Sequence, residues 1–412
     1  MAANTFETLT FPLQKYFQDK GKAIDDQSGS RKLFFADFTM TMLFAFIKQL
    51  KSLRKIVNFV SISDEADKLS IDPIAFSTLR DGFNRFESKH FFDLYRYVLT
   101  RVNLLKIPSI DELGLLQCVD GSIFPTISSM EWAEYKTTKN AIRLHVSFSL
   151  NQMIPIEFLG TKANHSERSF LLDIAKKGVT YIADRGYFSF DLAHKLTHLG
   201  AFFVLRIKEN IKYSVGKTLK VPDDTPNCLA GVSHMLIRFD NDKHKEIYRM
   251  VKFKVGESNF TLLTNRLDLS VLQIIIIYVY RWQIELLFKF VKRVVNGIHL
   301  FNHSKNGVNI QFCLLMILTV LYLNLKQFCF FYGKTDEMEA QSVNINQEIQ
   351  SLNINNIEDF NTYKGYLPDL WVNSLNKIFN GLWKISSYWV ENLATLITKP
   401  FDYQTISILA SD

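Results

Sequence analysis

Two apolar runs that each end in aspartate set the frame for this chain: "LGLLQCVD" (113–120) and "VTYIAD" (179–184). Each has the length of a buried strand. The second follows a helical-looking "SERSFLLDIAKKG" (166–178), and "LAHKLTHLG" (192–200) then leads into "AFFVLRIK" (201–208). Earlier, "AIRLHVSFSL" (141–150) alternates, with Ile142, Leu144, Val146, Phe148 and Leu150 on one face. Strands followed by helix–strand alternation predict an α/β sheet with mixed strand directions. At 412 residues, 47% hydrophobic with 35 Phe, the chain can fill more than one core, so two or three domains are expected and extensive disorder is not.

The flanks have a different texture. Residues 1–106 predict helices, because "FTMTMLFAFIKQLKSLRKIV" (38–57) and "SKHFFDLYRYVLTRVNLL" (88–105) carry apolar residues at three- and four-residue spacing. Their basic outer faces suit either a DNA-reading module or a plain helical packing domain, and no helix-turn-helix signature decides between them. Residues 209–265 are charged and alternate in short pieces, which predicts a β-rich insertion in a core spanning 107–330. A polar linker begins at 331 and leads to helical wording at 367–397 within the last segment, 331–412.

With 48 Lys and Arg against 41 Asp and Glu, the net charge of +7 suits a polyanion partner. The four cysteines are scattered without a CxxC pair, which speaks for a reducing compartment and against a cysteine-based zinc site. "MAANTFETLTFPLQKYF" lacks the basic and apolar regions of a signal peptide, so a cytoplasmic location is expected. The runs at 271–280 and 312–323 fall short of the roughly 20 apolar residues needed to cross a bilayer, which predicts buried core helices and no membrane partner.

The chemistry starts from "YVYRWQIELLFKFVKR" (278–293), where Glu285 is the one carboxylate among apolar and cationic residues. On a single helix, Tyr278, Arg281, Glu285, Lys289, Lys292 and Arg293 fall within about 60° of Tyr278, opposite an apolar face. Glu285 could simply pair with its neighbours, at a gain below about 1 kcal/mol. Alternatively it could join Asp120 and Asp184, both beside glycines at the ends of apolar runs, in holding divalent cations through oxygen. Each aspartate also has a plainer reading as a turn residue, since Asp-Gly is a strong hairpin signal. Beside the carboxylates, Arg, Lys and Tyr are the side chains that hold phosphate.

The spacing Tyr278-x2-Arg281-x3-Glu285-x6-Lys292 resembles the Y-R-E-K signature of the IS4 family, the DDE transposases named after insertion sequence four. The blocks "CVDGS", "DRGYF", "FVLRIK" and "LLTNRLDLS" resemble that family's wording in order, over roughly 110–330. The resemblance implies a ribonuclease-H-like catalytic core interrupted by an inserted β-domain, with Asp120, Asp184 and Glu285 as catalytic and metal-binding triad. It implies two Mg²⁺ (or Mn²⁺) ions roughly 4 Å apart, and double-stranded DNA as partner, both transposon terminal inverted repeats and target. It further implies a homodimer in the synaptic complex and a bacterial, nucleoid-associated location. Tyr278, Arg281 and Lys292, with Lys289 and Arg293 beside them, would contact DNA. Some relatives clamp a flipped base with a tryptophan in the inserted domain. Residues 209–265 contain none, leaving Tyr213, Phe239, Tyr248, Phe253 or Phe260 as stacking candidates. The competing readings are a non-transposing or domesticated nuclease of the same fold, a glycosidase using paired acids, a DNA-binding module and a membrane protein.

Overall fold

A computed structural model describes residues 5–29, 32–62, 71–102, 108–126, 130–136, 139–223, 225, 230–255, 258–294 and 299–332. The helical wording at 367–397 lies outside the described residues. The chain divides into two compact units.

The first unit is helical. It gathers α1 (Thr5–Tyr16), α2 (Lys22–Ser28), α3 (Phe35–Ile47), α4 (Leu53–Ile62), α5 (Phe76–Arg85) and α6 (Ser88–Arg101), and the long α11 (Lys305–Tyr332) packs against α3, α5 and α6. Its centre is phenylalanine: Phe35, Phe38, Phe83, Phe86 and Phe91 are fully buried and meet mostly edge-on or tilted, with Phe38 and Phe83 centroids 5.0 Å apart. Gly82 is a space requirement here, since a β-carbon would lie 2.7 Å from the Phe38 ring.

The second unit holds most of the sheet. Its strands are β1 (Leu115–Pro125), β3 (Lys139–Ser149), β4 (Ile154–Lys162), β5 (Val179–Ala183), β6 (Phe202–Arg206), β7 (Tyr213–Leu219), β8 (Ala230–Phe239), β9 (Ile247–Val255) and β10 (Ser258–Thr264); the three-residue β2 (Glu134–Lys136) pairs with the first residues of β3. The order is β3-β1-β5-β6-β10-β9-β8-β7, with β4 paired to β3. Strands β1, β5 and β6 are parallel, while β10, β9, β8 and β7 continue the sheet in antiparallel steps from β6. The β-rich segment predicted at 209–265 is therefore a direct extension of the main sheet, joined by β10 pairing with β6. Strand β5 is buried at every position, as a central parallel strand must be.

Helices α7 (Glu167–Ile174) and α8 (Phe190–Leu199) supply the crossovers, and α9 (Val271–Val279) packs on β5 and β6. Ser270 and Gln273 form a reciprocal capping box at the start of α9, and every α9 residue but Gln273 is buried. A helix apolar on all sides belongs inside a protein core or a membrane, and α9 is buried within the fold. The helical stretches 271–292, which includes a joint after Val279, and 305–324 are each long and apolar enough to cross a membrane, contrary to the short runs read from sequence, but most of each is buried within the protein. What marks them as core helices is burial, and length does not.

A buried arginine ties the sheet together. Arg266, just after β10, donates to the Leu113 carbonyl (3.0 Å) ahead of β1 and to the Thr180 hydroxyl (2.7 Å) on β5, while Asp268 grips its other face at 2.8 and 2.7 Å. Arg266→Ala leaves a buried carbonyl and hydroxyl without this donor, so it should lower unfolding free energy by about 2–3 kcal/mol. Urea denaturation followed by far-UV circular dichroism measures this, and an unchanged midpoint would show that the clamp carries no stability.

Candidate active site

The sequence expectation of one continuous helix over 278–293 is replaced by a jointed one. Helix α9 ends at Val279 and α10 (Trp282–Lys289) begins after two intervening residues, followed by a wider π turn at Phe290–Val294. At the joint, Arg281 N–H donates to the Tyr278 carbonyl (3.1 Å), Gln283 to Tyr280 (3.0 Å) and Ile284 to Arg281 (3.1 Å), a tighter i to i+3 pattern. Tyr278 lies ahead of the joint, within the buried α9, at 1% exposure and not on a polar surface stripe.

What gathers around the joint is the set of residues singled out from sequence. The Tyr278 hydroxyl donates to Asp184 Oδ1 (3.3 Å), and Arg281 Nη2 binds Glu285 Oε1 at 2.6 Å, one helical turn apart. Arg281 also lies in the field of Asp184 and Asp120. Burial by itself would depress the guanidinium; Tyr278, Glu285, Asp184 and Asp120 outweigh it and hold Arg281 above its ordinary value. Arg206 approaches Asp184 at 3.9 Å from β6 and lies over the Phe260 ring, 4.5 Å from its centroid.

Asp184 directly follows β5, at the strand end as expected. Asp120 does not sit at an end, because β1 runs through Asp120 and Gly121 to Pro125. The Asp-Gly pair is no hairpin turn here. Gly121 is needed for room: a β-carbon would lie 3.0 Å from Arg143 Cδ and 3.1 Å from Glu167 Oε1. Gly186 faces the same acid: a β-carbon there would lie 3.1 Å from Glu167 Oε2. Glu167, the first residue of α7, is ion-paired with Arg143 of β3 and was not read from sequence as part of the site. Its only advance signal is that both aspartates have a glycine close behind them.

Burial pushes the Asp120 carboxyl up to about 6, against the lowering effects of the Gly121 N–H (2.7 Å) and Arg281; Glu167 and Glu285 add to the rise. Tyr187 points its buried hydroxyl into the same region. Burial first, then Asp120 and Glu167, raise it well above a normal phenol, and it has no hydrogen-bond partner among the described residues. Arg281 Nε is likewise buried without a partner there.

The remaining cations differ. Lys289 is exposed at the end of α10. Lys292 is half-buried with its ammonium 5.0 Å from the Phe124 ring centroid, and burial lowers its pKa. The Arg293 side chain lies outside the described residues. Of the stacking candidates, Phe239, Tyr248, Phe253 and Phe260 are buried in the sheet's core and cannot offer a face to a base; Tyr213 is partly open, but Lys252 covers its ring and donates to its hydroxyl (2.8 Å).

The transposase DDE domain model matches residues 113–321, half of the chain, and the chain belongs to that family. It is 27% identical over 215 residues to "Putative transposase y4zB" of Sinorhizobium fredii, covering 50% of this chain and 59% of the relative. It is 23% identical over 193 residues to "Probable transposase for insertion sequence element IS5377" of Geobacillus stearothermophilus, covering 47% of this chain and 51% of the relative. The match thus spans just over half the length of each. Among solved structures, the piggyBac transposase synaptic complex with hairpin DNA aligns over 90% of this chain and 84% of its own, at 10% identity and a TM-score of 0.43. Bacillus subtilis endonuclease V aligns over 60% and 96%, at 12% identity and a TM-score of 0.22.

DDE transposase domains use divalent metal ions, and the donor set suits one, because it offers carboxylate oxygens only; a cation would also hold Asp120 in the ionised form that burial disfavours. Among the described residues the three acids do not form a group with all ligand atoms within 4.8 Å; Arg281 stands among them as counter-charge, and the group meeting that distance lies elsewhere.

The raised Asp120 makes a pH-dependent prediction. Its folded value lies above its unfolded one, so the folded protein holds that proton more tightly, and this contribution is full below about pH 4 and lost as pH rises through about 6. Asp120→Asn does not titrate, so its stability relative to wild type should improve between pH 4 and pH 7, by up to about 3 kcal/mol. Urea midpoints at the two pH values test this, and a pH-independent difference would show that Asp120 is not buried as a charge.

Proposed function

We propose that this chain is a DNA transposase of the IS4 group, which binds the ends of its insertion sequence and catalyses metal-dependent strand cleavage and strand transfer in cut-and-paste transposition. Family membership supports the class. The observation that carries the site is Arg281, bound to Glu285 at 2.6 Å while its charge acts on Asp120 and Asp184, with Tyr278 bonded to Asp184. These contacts support reading Tyr278, Arg281 and Glu285 as the Y, R and E of the signature, with both aspartates as their partners. Parallel strands β1, β5 and β6 carrying or preceding the two aspartates support a ribonuclease-H-like core.

In this reading Asp120, Asp184 and Glu285 hold Mg²⁺ or Mn²⁺, as a pair of ions. Bound there, the metal supplies Lewis-acid activation of the attacking hydroxyl and charge stabilisation of the departing oxygen. The protein's own residues do the positioning. Tyr278 fixes the Asp184 carboxylate, and the Gly121 N–H fixes that of Asp120. Glu167, anchored by Arg143, keeps negative charge behind Asp120. Arg281 offers to a phosphate oxygen its buried Nε, which has no hydrogen-bond partner among the described residues, a planar donor matched to that anion. Lys289, Lys292 and Arg293 add positive charge along the same segment for the DNA backbone. The basic helical segment 1–106 recognises the terminal inverted repeats, two chains act together in the synaptic complex, and the protein works in the bacterial cytoplasm on the nucleoid.

Asp120→Asn, Asp184→Asn and Glu285→Gln should each reduce cleavage of a plasmid carrying the element's ends by a factor of about 10³ or more, with end binding in a gel-shift assay changed only a few-fold. Near wild-type cleavage by any of the three would remove that residue from the triad. Cleavage without joining of the released end to target DNA would identify a non-transposing nuclease of the same fold.

A further inference from the structure

Helix α8 carries a second cluster of ligating side chains, separate from the three acids. Ser189 caps its start by accepting from the Leu192 N–H (3.2 Å), and Gly200, at φ 74°, ends it in the left-handed conformation. Leu192, Ala193 and Leu196 are buried in the core shared with Phe239 of β8 and Tyr248 of β9. That fixes the helix's rotation and turns His194 and His198, one helical turn apart, to a common face. The β8–β9 turn brings Glu246 to the same place. His194 Nδ1 contacts Glu246 Oε1, His198 Nε2 lies 3.3 Å from that oxygen, and one ligand atom from each residue lies within 4.8 Å of the others. His244, from the same turn, stacks flat on His194 with centroids 3.6 Å apart and bonds Asp191 Oδ1 at 2.9 Å.

We propose that His194, His198 and Glu246 form a binding site for one Zn²⁺ ion, which clips α8 to the β8–β9 turn. Two imidazoles and one carboxylate are a zinc donor set, and ligands on a tetrahedral ion with bonds near 2.0–2.1 Å stand about 3.4 Å apart. The His198–Glu246 separation is already of that size. Imidazole nitrogens favour a borderline ion such as zinc over Mg²⁺, which selects all-oxygen donors. His198 and Glu246 are 67% and 19% exposed, so the ion enters from solvent and the fourth position is left for water. His244, oriented by Asp191, packs against one ligand ring and limits its rotation.

The test uses the full chain, freed of any affinity tag and stripped with chelator, in a background carrying Asp120→Asn and Asp184→Asn so that the other acids do not contribute. Calorimetric titration with Zn²⁺ should give one ion per chain, and a thermal melt should rise by several degrees. His198→Ala, at an exposed position that leaves the fold intact, and the near-isosteric Glu246→Gln should each weaken binding at least 10-fold and remove most of the thermal shift. Mg²⁺ at the same concentration should produce neither effect. Absence of stoichiometric zinc binding, or binding that both variants leave unchanged, overturns the proposal and makes the cluster a histidine–glutamate ion pair.

Discussion

The candidate site depends on a buried guanidinium. Arg281 has an 11% exposed side chain, and a cation so placed persists only where negative charge and hydrogen-bond acceptors meet it. Glu285 supplies the direct contact from the next turn, and Asp184 and Asp120 supply field from two strands of the sheet. The dependence runs both ways. Asp120, already raised by burial, would rise further without the Arg281 charge, and the carboxylates would repel one another. Either side of the short turn at Tyr280 and Arg281, Tyr278 is buried in α9 and bonds Asp184, while Glu285 is partly accessible on α10.

The strands that frame the site were readable because their burial is extreme. "VTYIA" is β5 without remainder, and the alternation at 141–150 is β3. Pairing was less readable. The texture of 209–265 announces strands but carries no statement of which edge they extend, since β10 finds β6 about sixty residues away by backbone hydrogen bonds that any sequence can make. The Asp120-Gly121 pair misled for a related reason. Local turn chemistry and a tight long-range contact both call for glycine, and only the position of Arg143 and Glu167 distinguishes them.

The same distinction explains which site residues sequence reasoning reached. Tyr278, Arg281 and Glu285 lie within eight residues, so helical spacing alone relates them. Arg143, Glu167 and Arg206 come from three other elements and meet the acids only through the folded sheet. Four of the aromatics suggested as base platforms are core residues, because on an extended sheet a strand's apolar face is claimed by packing before any ligand can use it.

Two ligand sets of different character therefore sit on neighbouring stretches of chain. Asp120, Asp184 and Glu285 offer only oxygen, with one acid desolvated and a guanidinium close by, conditions that favour a hard, highly charged ion which can displace an existing positive charge. His194, His198 and Glu246 offer mostly nitrogen at a partly exposed helix face. Asp184 precedes α8 by a short turn, while His194 and His198 lie on the helix itself, so rigidity at the α8–β9 contact bears on the segment that carries a catalytic candidate. Because the donor types differ, an ion held at α8 would constrain that segment without competing for a hard ion proposed at the three carboxylates.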